Sequence, residues 1–131
     1  MAKYKNKKAF VGGKEFDSKK EAKRYSGLLL LQRAGKISSL REQVKYVLIP
    51  AQYEEYERVS PKTGKKLNPG RRLLEKECSY IADFVYTDNA TSKEVVEDTK
   101  GYRDPSSAGY AKFVIKRKLM LWIHGIKVKE V

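Results

Sequence analysis

Two short apolar runs near the middle of the chain each carry an acid, and the turn between them restricts how they can pair. Tyr80-Ile81-Ala82-Asp83-Phe84 and Val95-Val96-Glu97-Asp98-Thr99-Lys100 are β-prone, and Thr87 to Lys93 between them is polar and turn-like. A four-residue loop of Asn89 to Ser92, closed by Asp88 opposite Lys93, sets the register. Asp83 then faces Asp98, Val85 faces Val96, and Ile81 faces Lys100. Opposed residues share a face with Cβ atoms roughly 4.5–5.5 Å apart. Period-2 alternation puts Lys100 on the face of Asp98. An ionised carboxylate in an apolar run is costly unless something positive compensates it. Two carboxylates and an ammonium on one face form a divalent-metal and water-activating constellation. A slip of one residue would bring Glu97 to that face and take Lys100 off it.

The acid-x-Lys tripeptide carries little by itself, since Asp17-Lys19, Glu21-Lys23 and Asp98-Lys100 all contain it. Only the last lies on a strand whose neighbour bears another acid. Like charges forced together on a sheet cost stability unless a cation binds them, which favours a metal site over ordinary surface salt bridges.

Charge points to the partner. Lysine and arginine number 29 against 16 acids, a net charge of +13, and such an excess attracts polyanions, nucleic acid foremost. The basic residues are spread over Lys3 to Lys8, Lys19 to Arg24, Lys62 to Arg72 and Lys112 to Lys118. The single Cys78 excludes an internal disulfide and suits a reducing compartment; a small buried hydrophobe is its expected role. His124, followed by Gly125, reads as the end of a helix. One histidine and one cysteine argue against zinc. There is no apolar run of transmembrane length, and no apolar stretch follows the Lys-rich start, so neither a membrane span nor a signal peptide is expected.

The 131 residues read as a single α/β domain. Residues 1–13 form a basic arm ending in Gly12-Gly13, and Lys14 to Phe16 is extended. A helix starts at Asp17 or Ser18 and runs to about Ala34, with Gly35 beyond its end. Ser18 and Glu21 form a capping box, with Phe16 as a staple. The helix's apolar face is Ala22, Tyr25, Leu28 and Leu29, widened by Leu30 and Leu31. Glu21 lies on the edge of that face, so it is a cap, a third site carboxylate, or both. Val44 to Pro50 is a strand. Residues 51–70 show no sustained pattern, and their second half reads as a mobile basic loop or long hairpin tip. Strands follow from about Arg71 to Tyr86 and from Glu94 to Lys100. A second helix, Ala108 to Ile123, is apolar nearly all round and is expected to be largely buried. Ile126 to Val131 alternates like a final strand. The order is α-β-β-β-α-β.

That order, with acids at these positions, resembles the core of the PD-(D/E)XK nuclease superfamily from about Phe16 to Val131. The phrases Phe16-Asp17-Ser18-Lys19-Lys20-Glu21 and Tyr80-Ile81-Ala82-Asp83-Phe84 are similar to small phage-encoded members, among them Holliday-junction resolvases and other endodeoxyribonucleases. Ala82 stands where the superfamily's eponymous proline would be, and Asp98 where glutamate is more frequent. The resemblance implies a restriction-endonuclease-like core, a mixed central sheet flanked by helices. It implies a metal-dependent endonuclease acting on branched or structured DNA, with catalytic Glu21, Asp83, Asp98 and Lys100. Mg2+ or Mn2+ would be held by Asp83, Asp98, the Thr99 backbone carbonyl and, if it joins them, Glu21. Lys100 would orient or help deprotonate the attacking water. Lys62, Lys65, Lys66, Arg71, Arg72, Lys112, Lys116 and Lys118 would track DNA phosphates. The implied assembly is a homodimer, and the implied location is the cytoplasm of a bacterial host carrying a phage or prophage. The alternative is a non-catalytic basic nucleic-acid-binding protein whose acids form ordinary salt bridges.

Overall fold

The computed structural model describes residues 9–11, 13–16, 18–99 and 106–131. In chain order its elements are β1 (Ala9–Val11), β2 (Lys14–Phe16), α1 (Lys19–Arg33), β3 (Ile37–Ile49), β4 (Gln52–Tyr56) and β5 (Gly70–Glu75). These are followed by β6 (Cys78–Asp88), β7 (Lys93–Asp98), α2 (Ala108–His124) and β8 (Lys129–Glu130).

Ser18 starts α1 as expected: its side chain accepts the Glu21 backbone N–H at 3.1 Å, satisfying one of the unpaired donors of the first turn. Gly35, just past the helix end, takes the left-handed conformation (φ +75°) that lets the chain turn into β3. The helix lays Ala22, Tyr25 and Leu28 on the sheet, and the Phe16 ring packs 4.9 Å from that of Tyr25. Leu30 and Leu31 do not widen this face. Both are exposed, Leu30 by 63%, because they lie around the helix from the stripe that meets the strands.

The main sheet is mixed and four-stranded, in the order β3-β6-β7-β8. β6 runs antiparallel to both of its neighbours, β3 and β7, while β8 runs parallel to β7. The β6–β7 hairpin has the register expected from its turn, with Asp88 opposite Lys93, Val85 opposite Val96 and Phe84 opposite Glu97. Asp88 closes the loop by accepting the Ala90 N–H on its side chain (2.9 Å) and the Ser92 N–H on its carbonyl (2.7 Å). α2 packs Phe113 and Met120 over Leu48, Tyr80, Ala82, Val85, Val96 and Val128. α1 covers a second cluster, Phe16, Ile37, Phe84 and Tyr86 with its own apolar stripe.

Several boundaries differ from the expectations. The first core strand begins at Ile37; Ser38-Ser39 and Arg41-Glu42-Gln43 hide it, because a bulge and left-handed residues interrupt its alternation. The run from Arg71 to Tyr86 is two strands, broken at Lys76-Glu77 opposite Pro50, which has no N–H to donate. Residues 51–70 are the first strand and tip of a β4–β5 hairpin, with a Val59–Lys66 bridge near the tip. Adjacent like charges, Glu54-Glu55 and Arg71-Arg72, give neither face an apolar period, so the sequence hides the ribbon. The Tyr56 ring lies across Gly70, where a Cβ would sit 2.3 Å from a ring carbon. β1 pairs with β2, so the end of the expected arm is strand; residues 1–8 and 12 lie outside the described residues. The final strand shrinks to Lys129–Glu130.

α2 is not largely buried. Ile115, Leu121 and Ile123 are exposed and Trp122 is 87% exposed, because the sheet covers only the stripe through Phe113 and Met120. His124 ends the helix as expected, its Nε2–H donating to the Val47 carbonyl at 2.7 Å. Cys78 is half-buried against the α2-side core. Among the described residues no helix is long and apolar enough to cross a membrane.

Candidate functional site

Midway along β3 and β6, both strands change the face they turn to the core. Val44 and Ala82 are opposed and belong to the α2 side; Glu42 and Phe84 are opposed and turn toward α1. The changeover falls at Gln43, whose φ is +51°, and at Asp83 beside it. Regular pleating would keep residues two apart on one face, so in β3 the left-handed residue accounts for the reversed alternation. Asp83 is therefore held out of both apolar clusters, although it is flanked by fully buried Ala82 and Phe84.

Across the hairpin, Asp98 ends β7 and is 4% exposed. The pairing of Val85 with Val96 and Phe84 with Glu97 leads to Asp83 opposite Asp98. The Thr99 backbone N–H donates to Asp83 Oδ2 at 2.8 Å. Burial, then the hydrogen bond and charge of Asp98, pushes the Asp83 carboxyl up to about 8; Glu21 adds to this and the Thr99 amide opposes it. Close carboxyl pairs behave in this way, keeping one proton between them. The Tyr80 hydroxyl is buried beside Asp98 without a well-formed hydrogen bond among the described residues. Burial and the two acids push this phenol up, so it stays protonated.

Glu21 reaches the same place from α1. It is 8% exposed, and its Oε1 accepts from Gln43 Nε2 at 2.9 Å, a nitrogen that also lies 3.5 Å from Asp83 Oδ1. The Glu21 backbone amide takes part in the cap, while its side chain bonds Gln43 on the side of Asp83. A cleft of roughly 400 Å³ is lined by Tyr80, Asp83, Asp98, Lys112 and Lys116, so α2 contributes two lysines to the cleft that the acid pair lines.

Glu97, the acid that a one-residue slip would have brought to this face, points the other way. It is wholly buried under α1, where Arg24 donates to both of its oxygens (Nε to Oε1 at 2.8 Å, Nη2 to Oε2 at 2.6 Å). The Tyr86 hydroxyl donates to Oε2 as well. The sequence signalled that an acid in an apolar run needs a cation, but not that Arg24 supplies it. Gln43 left no such signal, since the Val44, Tyr46, Leu48 alternation assigns it to the outer face.

Of the other expected site residues, Lys100 lies outside those described. Thr99 enters through its N–H, and its Oγ1 is buried with no partner among the described residues. Lys118 is on the exposed side of α2. Lys62, Lys65 and Lys66 sit at the tip of the β4–β5 ribbon, which among the described residues forms a separate two-stranded sheet. Arg71 stacks 4.1 Å over the Tyr53 ring, and Arg72 stacks 4.9 Å over Tyr56 while bonding Glu54 at 3.0 Å. Those guanidiniums are thus partly engaged by the ribbon.

Among the described residues no three His, Cys, Asp or Glu side chains stand ready-spaced to hold a metal ion. The donor set is nonetheless of the kind a hard divalent cation takes: carboxylate oxygens of Asp83, Asp98 and Glu21, with an amide donor lying between two of them. No curated protein and no solved structure matches the chain significantly. A family model described as "Protein of unknown function (DUF1064)" matches residues 1–122, and the chain belongs to that family.

Proposed function

We propose that the chain is a divalent-cation-dependent endodeoxyribonuclease with a restriction-endonuclease-like core of the PD-(D/E)XK kind, acting on branched or structured DNA. One observation carries the reading: the β6–β7 register sets Asp83 against Asp98, and α1 brings Glu21 to the same point through Gln43. The succession α1, β3, β6, β7, α2, β8 and the mixed sheet support the core proposed.

Asp83, Asp98 and Glu21 would hold Mg2+ or Mn2+. A cation there would polarise a phosphate and acidify a water. Lys112 and Lys116, lining the same cleft, would receive the phosphate and offset charge that builds on it during attack. Lys100, next along from Thr99, would act on the water. In the hydrolysis, the water oxygen bonds to phosphorus, one phosphorus–oxygen ester bond breaks, and the departing sugar oxygen takes a proton. The lysine-tipped ribbon would lie along flanking phosphates without reading sequence. A second copy of the chain would suit paired cuts on two strands.

The deciding experiment is cleavage of a four-way junction, a duplex and a single strand with Mg2+ or Mn2+, alongside Asp83→Asn. Metal-dependent cutting that the variant abolishes supports the proposal. DNA binding without cutting under any of these conditions would leave the non-catalytic nucleic-acid-binding protein as the better reading.

A further inference from the structure

Gln43 holds a left-handed backbone in the middle of a 13-residue strand. A residue with a Cβ is disfavoured there, and such conformations persist only where the surroundings over-determine them. Glycine or asparagine would adopt it more readily. The position gains no apolar burial, since Gln43 is exposed while the Glu21 carboxylate that it bonds is buried. Besides reversing the alternation of β3, the conformation goes with a side chain that lines the hollow shared with Glu21 and Glu42. There its amide nitrogen donates to Glu21 Oε1 at 2.9 Å and lies 3.5 Å from Asp83 Oδ1. A polar hydrogen donor between carboxylates from two separate elements occupies a place suited to a cation.

We propose that Gln43 is a positioning residue: it holds Glu21 toward the Asp83–Asp98 pair in the cation-free protein, then rotates its amide to present the carbonyl oxygen when a divalent cation enters. A primary amide can serve both states because it carries donor and acceptor on one rotatable group. A carboxylate would add repulsion before loading, and an apolar side chain would remove the hydrogen bond that Glu21 accepts from Gln43. The inference rests on the three acids being a cation site. Removing a partner that orients metal ligands typically lowers metal affinity about 10- to 100-fold, and an effect of that size is expected here.

The test uses the full chain and Mn2+ calorimetry on wild type, Gln43→Asn, Gln43→Gly and Glu21→Gln, with melting followed in chelator. Asparagine and glycine relieve the backbone but do not bridge the acids, one being a methylene short and the other lacking the amide. Melting at or above the wild-type temperature with Mn2+ affinity lowered about 10- to 100-fold supports the proposal. Wild-type Mn2+ affinity in both Gln43 variants overturns it, and leaves the cation site itself standing. A second readout needs no metal: the Gln43 side-chain amide protons in 15N spectra should shift when Glu21 is changed to Ala and shift again with Mn2+. Amide signals indifferent to Glu21→Ala overturn the positioning role directly. Wild type that binds no Mn2+ overturns the cation-site reading and the rotation together, a result distinct from either of the others.

Discussion

The Thr99 backbone N–H donates to Asp83 Oδ2 across 2.8 Å, joining the end of β7 to the acid of the neighbouring strand. Asp83 thus meets a donor from the backbone, a carboxyl from Asp98, and an amide from Gln43. Its carboxyl is pushed up to about 8, first by burial and then by Asp98. The folded protein therefore keeps a proton that the unfolded chain releases at lower pH. The contribution is fully favourable below about pH 4, is lost as pH rises through the window up to about 8, and levels off above it.

Asp83→Asn should mimic the protonated acid, since its oxygen can still accept from Thr99 and its amide can donate to Asp98. Without divalent cations, the variant should melt above wild type at pH 9, and the gap should close by about pH 4. Metal-dependent cleavage should fall by orders of magnitude. Melting curves across this range in chelator check the sign; a variant that loses stability most at high pH would refute the shared-proton picture.

Binding of Mg2+ or Mn2+ should expel that proton, because metal ligands act deprotonated. At pH 7 about one proton should leave per binding event, and fewer at pH 9. Calorimetry in two buffers of different ionisation enthalpy measures this as a difference in apparent heat. Equal heats at pH 7 would show that the cation does not displace the proton on Asp83.

Glu97 is predicted to be structural. Arg24→Met would strand a wholly buried carboxylate, a change that typically costs about 3–5 kcal/mol. Replacing Glu97 with Met in the same chain should restore most of the loss, since apolar residues of similar volume substitute well for a buried pair. Urea denaturation of the two variants tests it. No recovery in the double variant would mean that Glu97 has work beyond pairing Arg24.

The ribbon and the cleft should separate binding from chemistry. Lys62, Lys65 and Lys66 changed to Ser should make the slope of log affinity against log salt shallower by up to ~0.9 per lost phosphate contact on duplex DNA. Single-turnover cleavage at saturating DNA should change little. Lys112→Ala or Lys116→Ala, in the cleft that the acids line, should slow that same step, whereas Lys118→Ala on the outer side of α2 should not. Similar rates for all three α2 variants would remove the cleft lysines from the site.

The hairpin from Tyr80 to Asp98 was legible because its information is local. Turn residues and period-2 alternation fix register over a few residues, and with it the opposition of Asp83 and Asp98. The Ser18 start of α1 and its stop at Gly35 were legible for the same reason, as caps act within a turn. Contacts that close over long stretches of sequence were settled by packing. Arg24 meets Glu97 across 73 residues and Gln43 meets Glu21 across 22, and no spacing rule joins them. The exposed side of α2 followed from how far one sheet face extends, which composition does not encode. The left-handed turn at Gln43 is a tertiary decision in the strictest sense. Nothing in Glu42-Gln43-Val44 asks for it; it falls where β3 and β6 pass from the cluster under α2 to the cluster under α1, beside Asp83, and no local spacing encodes that passage.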